Sequence, residues 1–580
     1  MLTEVIMPKA GSEMEEGQIV KWIKKEGDKV KEGDVILEIM TDKVNMEIEA
    51  EASGTLLKIL RHDGDIVPVT ETIAYIGDEG DVIPEQTKAP SKETKEVKEE
   101  TKEETKVVKE ASNETSNESS KEKLKDGEYD VVVIGAGPSG YYSAIRSAQR
   151  GQKVAIVENN KFGGTCLNRG CIPTKTYLQT VEDIERIKAS SKRGIVLEND
   201  DAKVDLKKLL KFKNGVVKKL SAGVEFLLKS NKIEMFKETA YIKSNTKVVL
   251  ESGKELNTNN IILASGSKCV KNIKGSDIKN VLDTDEILDL EEVPESLTII
   301  GAGYIGIEMA QIFASFGSKV TVVEKKDSAI SNFDSDVVNI LIKSLEKSKI
   351  KFIFGKEITE IKENGDILVM SNDEEVAKSK FVLLTTREAD LTALRDFKLD
   401  LKDGFVVADE NMKTKVDKIF ASGDVNGKNL LAHAGFKMGD VASAIVSGLD
   451  DEKYNNNVIP RSIYTYPEVA SVGLTEQEAK NSYDIKVGKF AYSANGRALA
   501  HGDSSGIVKV ISDARYGEIL GAHIVGPRAS EIINEVSILM QSEMTVEEVI
   551  KMVFGHPTFS EAIYEAIADI NSVSVHLPKK

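Results

Sequence analysis

Two stretches near the start of the chain share one alternation of apolar and polar positions. GQIVKWIKKEGDKVKEGDVILEI, from Gly17, aligns with GTLLKILRHDGDIVPVTETIAYI, from Gly54, at a shift of 37 residues. Gly17 meets Gly54, Trp22 meets Ile59, Gly27-Asp28 meets Gly64-Asp65, and Ile39 meets Ile76. Short alternating runs divided by Gly-Asp turns predict a small all-β sandwich of two related halves over residues 1–80. Residues 81–127 hold almost no large apolar side chain, so they cannot bury a core and read as a flexible, mixed-charge linker. A coil of that length has a root-mean-square span of about 40 Å. Two later segments follow another rhythm. YDVVVIGAGPSGYYSAIRSAQRGQKVAIVE, from Tyr129, and LTIIGAGYIGIEMAQIFASFGSKVTVVE, from Leu297, each predict an apolar strand, a glycine turn, an amphipathic helix and a second strand.

The glycine turns add chemistry to that pattern. The first has Gly135, Gly137 and Gly140, with Glu158 at the end of the second strand, 23 residues after Gly135. The other has Gly301, Gly303 and Gly306, with Glu324 again 23 residues on. Such glycines let a pyrophosphate reach a helix N-terminus, and the carboxylate then accepts hydrogen bonds from ribose hydroxyls. One Gly-x-Gly-x-x-Gly is weak evidence; two in full strand–helix–strand context predict two bound dinucleotides in α/β domains.

Composition narrows the setting. The chain has 580 residues, 41% hydrophobic and 30% charged, with a net charge of −17. The acidic balance argues against nucleic acid as a partner. No apolar run is long enough for a membrane span, and the opening MLTEVIMPKAGSEMEEG lacks the pattern of a secretory signal. Three cysteines make no disulfide scaffold, so a cytoplasmic setting is expected.

Two of those cysteines, Cys166 and Cys171, stand five residues apart in FGGTCLNRGCIPTK. A structural zinc site needs more ligands than this loop and the scattered histidines offer. A purely structural disulfide would close too short a loop to stabilise much. A redox disulfide remains. Five residues of regular helix rise about 7.5 Å, so bridging requires a distorted turn. The loop follows the first dinucleotide fold directly. Its cofactor must then react with sulfur, which assigns FAD to the first fold and NAD to the second; Glu324 would repel the 2′-phosphate of NADP. Cys269 reads as a bystander near a strand end.

These residues carry resemblances. The duplicated halves with Asp42-Lys43 between them resemble the lipoyl and biotinyl carrier domain, in which the hairpin lysine is amidated. Asp-Lys-Val, in place of the Met-Lys-Met of biotinyl relatives, favours covalent lipoyl on Lys43. GGTCLNRGCIPTK resembles the active-site segment of the pyridine nucleotide–disulfide oxidoreductases, and residues 128–580 follow that family nearly end to end. The resemblance implies an FAD-binding domain in two parts (128–272 and 391–458), an NAD-binding domain (273–390) and an α+β interface or dimerisation domain (459–580). Within the family, the lipoyl-like domain points to the dihydrolipoyl dehydrogenases.

The family pattern implies roles residue by residue. Cys166 is the interchange sulfur and Cys171 the sulfur beside flavin. His556 and Glu561, from GHPTFSEA, form the base and its orienting carboxylate. Lys175 pairs with Glu308 near the reactive edge of the flavin. FAD contacts fall to the first fingerprint, Glu158, Gly164, Thr165, Lys175, Ala240, Ser265, Gly266, Asp424, Leu430, Leu431, Ala432 and His433. NAD contacts fall to the second fingerprint, Ile305, Glu308, Glu324 and Thr386. The family's Gly-Arg-x-Pro-Asn turn reads Thr386-Arg387-Glu388-Ala389-Asp390 here. Implied partners are a second copy, as a homodimer, and the lipoyl-bearing proteins of a 2-oxoacid dehydrogenase complex or a glycine cleavage system. Other readings are a different FAD-dependent disulfide reductase, or a lipoyl carrier or assembly subunit with a flavoprotein scaffold.

Overall fold

The computed structural model describes residues 3–8, 16–40, 45–50, 52–78, 128–196, 202–449 and 453–578, and the chain divides into two units, Met1–Glu118 and Ser119–Lys580. Lys43 and the 81–127 stretch lie outside the described residues.

The first unit is two four-stranded sheets face to face. One runs in the order Thr3–Ile6, Thr72–Gly77, Gly54–Ile59, Lys29–Val30; the other runs Asn45–Glu49, Val35–Met40, Glu16–Trp22, Ile66–Pro68. Each sheet takes its two central strands from one half of the repeat and its two edges from the other. The repeat therefore appears in the hydrogen bonds: Gly27 N donates to Leu56 O at 2.8 Å, and Gly64 N to Ile19 O at 2.7 Å. Gly27 and Gly64 sit at φ +92° and +95°, the left-handed region that a side chain resists. Ile19, Ile39, Leu56 and Ile76, apolar in both halves, meet in the core between the sheets.

Among the described residues, the second unit is built on three large sheets, with three smaller ones beside them. Parallel strands Glu234–Phe236, Val154–Val157, Glu128–Ile134, Glu255–Leu263 and Ile419–Ala421 form the first, extended by an antiparallel meander through Lys247–Leu250 and Ala240–Ser244. Ile419–Ala421 comes from far down the chain, so the first domain is completed only after the second has been built. That second sheet is parallel throughout, in the order Val281–Leu282, Phe381–Leu384, Ser296–Ile300, Lys319–Val323, Lys351–Ile353. One face packs against the helices Tyr304–Phe316 and Ser335–Lys347, and the other against a three-stranded antiparallel sheet of Glu360–Asn364, Asp366–Ser371 and Glu374–Ser379, so the strands are apolar on both sides. The third sheet is antiparallel, running from Arg461–Ile463 at one edge to Ile485–Ala491 at the other, and packs against helices Ala529–Gln541 and Glu561–Ile570. Two α/β domains of the dinucleotide-binding kind and an α+β domain thus follow a small all-β sandwich. Among the described residues, no helix is long and apolar enough to cross a membrane.

Candidate active site

The two fingerprints fold alike, and their glycines show why. Gly135 has φ +97° and Gly301 has φ +108°. A Cβ on Gly140 would lie 1.9 Å from Gly135 O, and one on Gly306 would lie 1.9 Å from Gly301 O. Each helix thus packs backbone to backbone against its own turn. The helices Pro138–Gln149 and Tyr304–Phe316 start at Gly137 and Gly303 with no side-chain cap, which leaves their first N–H groups free to meet an anion. The carboxylates bind their own turns as well. Glu158 Oε2 accepts from Ala136 N at 2.8 Å, and Glu324 Oε2 accepts from Ala302 N at 2.7 Å. Each carboxylate has lone pairs left for ribose hydroxyls, so the donor set fits two dinucleotides.

The cysteines are held against the first turn. Gly163 and Gly164 take φ +93° and +60°, and a Cβ on Gly164 would meet Gly137 Cα at 2.4 Å. The helix Gly164–Arg169 carries Cys166 and breaks at Gly170, with φ −136° and ψ −106°; a new helix, Cys171–Ala189, then begins. This break is the distorted turn that the five-residue spacing demands. No bond joins the two sulfurs in this structure. A proton held by Cys166 toward the Cys171 sulfur, together with burial, pushes the Cys166 thiol up and pulls Cys171 down, and the Lys175 cation helps lower Cys171. Of the two, Cys171 therefore ionises more readily and Cys166 holds its proton more tightly.

Lys175 lies one helical turn beyond Cys171. Its Nζ donates to both oxygens of Glu308 at 2.9 Å and stands 4.3 Å from the centre of the Tyr464 ring. Glu308 is buried and also accepts from Tyr464 N at 3.0 Å. Burial opposes the charge on Lys175, but the Glu308 carboxylate outweighs it and holds the ammonium above its usual range.

These groups line one cavity of about 890 Å³. Gly135, Gly137, Glu158, Gly164, Thr165, Cys166, Cys171 and Lys175 line it from the first domain, with Ala240, Ser265 and Gly266. Asp424, Leu430, Leu431, Ala432 and His433 line it from the returning segment; Gly303, Ile305, Gly306 and Glu308 line it from the second domain. Asp424 is reached by Ser267 Oγ at 2.5 Å, and burial pushes its carboxyl up. His433 Nε2 bonds Pro460 O at 2.6 Å, and burial lowers its pKa, as suits a structural imidazole. Gly140, Gly301 and Glu324 shape their turns without lining the cavity, and Thr386 does not line it, although Thr385 and Arg387 do. Lys268, Tyr304, Arg387 and Tyr464 line it too. Sequence reading passed over them, although Arg387 stood in the very turn whose glycine and proline are replaced.

His556 stands apart. Its Nδ1 lies 2.7 Å from Glu561 Oε1, while Glu561 Oε2 accepts from Thr558 N at 2.8 Å. The carboxylate thus fixes the imidazole and favours the proton on Nδ1, leaving Nε2 to accept one. The His556 side chain is 77% exposed and does not line the cavity of its own chain. Cys269 sits at the end of Ser267–Cys269, with Sγ 3.4 Å from Leu384 O.

Comparison with known proteins agrees with this geometry. Residues 129–439 match the family described as pyridine nucleotide-disulphide oxidoreductase, residues 459–567 its dimerisation domain, and residues 3–76 the biotin/lipoyl family described as biotin-requiring enzyme. A dihydrolipoyl dehydrogenase of Bacillus subtilis is 35% identical over 77% of this chain and 99% of its own length. One from Geobacillus stearothermophilus is 37% identical over 78% of this chain and 98% of its own. Among solved structures, the HOCl-induced flavoprotein disulfide reductase RclA of Escherichia coli is 26% identical with a TM-score of 0.68, covering 76% of this chain and 99% of that one. The fold is shared with LpdA of Mycobacterium tuberculosis, at a TM-score of 0.70, 21% identity, and 76% and 99% coverage. With its paired thiols, its two dinucleotide turns and a family match over more than half its length, the chain belongs to the pyridine nucleotide-disulphide oxidoreductases.

Proposed function

We propose that the chain is a dihydrolipoyl dehydrogenase that oxidises protein-bound dihydrolipoamide to lipoamide, with NAD⁺ as acceptor. The observation that carries this reading is the Cys166–Cys171 pair at a helix break, lining one cavity with the Lys175–Glu308 ion pair and both dinucleotide turns. FAD is held by the first turn and the Asp424 segment, NAD by the second turn, and lipoyl by Lys43. Bound FAD supplies a two-electron relay between a protein thiolate and the nicotinamide.

The protein side of the reaction follows from the groups present. A dithiol carries little thiolate near neutral pH, so a base is needed. His556 Nε2 takes the proton, and Glu561 holds the ring in the tautomer that can do so. The substrate thiolate attacks Cys166 of the oxidised pair, and the protein S–S bond breaks. That break leaves Cys171 as thiolate; the second substrate sulfur then attacks the first, closing the lipoamide disulfide and expelling Cys166, which takes the second thiol's proton, while the first proton stays on His556 and passes to solvent. Lys175 holds that negative charge at the cavity wall, and Glu308 keeps Lys175 charged and fixed. Returning the two electrons to NAD⁺ restores the protein disulfide. The dimerisation domain supports a homodimer in which His556 serves the disulfide of the other copy. The same reading makes the chain the dehydrogenase component of a 2-oxoacid dehydrogenase or glycine cleavage system in the cytoplasm, with 81–127 as the tether of the carrier domain.

Cys171→Ser tests this. It should abolish NAD⁺-linked oxidation of dihydrolipoamide while the yellow chromophore stays bound; surviving turnover refutes the relay. Intact-mass measurement should find one lipoyl increment on Lys43 in lipoate-replete cells.

A further inference from the structure

The helix Leu206–Ser230 has the sequence LKKLLKFKNGVVKKLSAGVEFLLKS, with seven lysines and one glutamate, in a chain whose net charge is −17. Its inner face, with Leu206, Val217, Val224 and Leu228 buried, packs into the first domain. A second apolar set points the other way. Phe212 is 65% exposed, Leu220 42%, Phe226 40% and Leu227 47%. At 3.6 residues per turn these four fall within an arc of about 120°. Gly215 and Gly223 lie on the same side with nothing within 4 Å of a built Cβ, so another backbone could approach closely there. Lys211, Lys218 and Lys219 flank the stripe, and none has an ion-pair partner among the described residues. Four exposed large apolar side chains beside free cations form a surface that lacks its partner.

We propose that this face is a docking surface for an acidic, lipoyl-bearing carrier domain of a partner protein. The proposal rests on the dehydrogenase reading and extends it to how the substrate arrives. Charge complementarity selects the occupant. The lysines call for a negatively charged surface, and a carrier of this kind can supply one: the chain's own first 80 residues hold nine basic and eighteen acidic side chains. Ser221, on the buried side of the helix, donates its Oγ to Phe162 O at 2.9 Å beside the Gly163-Gly164 turn, so the helix lies between the proposed docking face and the cysteine loop.

The test uses the full-length holoenzyme and two substrates: free dihydrolipoamide, and the purified, reduced lipoyl domain of a bacterial 2-oxoacid dehydrogenase. Charge reversal at Lys211, Lys218 and Lys219 together (each Lys→Glu) should raise KM for the lipoyl domain about tenfold at low salt, because rim charges set encounter rates. Turnover of free dihydrolipoamide should not change, which shows that fold and flavin are intact. A second variant, Phe212→Ser with Leu220→Ser, should raise KM for the lipoyl domain at low and high salt alike. Equal KM values for the lipoyl domain in wild type and both variants overturn the proposal. So does capture of the wild-type helix face by anionic phospholipid vesicles with carrier kinetics unaffected. Absence of turnover with free dihydrolipoamide in the wild type would instead refute the dehydrogenase reading.

Discussion

Replacing Lys175 by Met removes the cation that favours the Cys171 thiolate. Four residues of helix place the two positions about 6 Å apart along the axis. At an effective dielectric constant of about 20, a unit charge at that distance is worth about 3 kcal/mol, or about two pH units. Loss of a neighbouring positive charge disfavours the charged form, so the thiolate should appear later as pH rises. Glu308 acts in the opposite sense on Cys171, more weakly than Lys175. In Lys175→Met the uncompensated Glu308 carboxylate adds to the upward push; in the double variant Lys175→Met/Glu308→Gln that addition is absent. The Cys171 pKa should therefore rank single variant above double variant above wild type. The assay is the pH dependence of iodoacetamide alkylation in a Cys166→Ser background, which leaves Cys171 as the only thiol of the pair; Lys175→Arg is the charge-preserving control. A shift below about half a pH unit in Lys175→Met, or a double variant that matches or exceeds the single, would refute the electrostatic account.

Three other outcomes follow from the geometry. Gly306→Ala drives a Cβ against Gly301 O and should raise KM for NAD⁺ about tenfold or more while flavin absorbance is kept; Gly140→Ala should instead lose the flavin. His556→Gln should lower kcat by a factor of about 10² to 10⁴, measured with saturating dihydrolipoamide. His523 is fully buried and its pKa is lowered by burial, so the unfolded chain binds its proton first as pH falls. Its contribution to stability is whole above the unfolded value near about 6.5 and is lost below it, at up to about 1.4 kcal/mol per pH unit. His523→Gln, which keeps a donor for Leu474 O, should flatten the fall of Tm between about pH 7 and 5, as read by scanning calorimetry.

What could be read from the chain alone was whatever repeats or recurs over short range. The 37-residue shift announced a two-fold sandwich, and the glycine turns with their acids announced two nucleotide sites, because φ, close backbone approach and strand–helix periodicity are local demands. The Cys166–Cys171 spacing required a broken helix, and Gly170 supplies the break. Tertiary structure decided the rest. Edge strands of each sandwich sheet come from the opposite half, a choice that burial makes and periodicity does not. Lys175 meets Glu308 across 133 residues, and Ile419–Ala421 closes a sheet begun at Glu128, because separate apolar faces had to be covered together. The lysine-flanked stripe on Leu206–Ser230 emerges for the same reason. A helix with apolar residues around most of its circumference can hide only one side against its own domain, and packing alone determines which side is left to water.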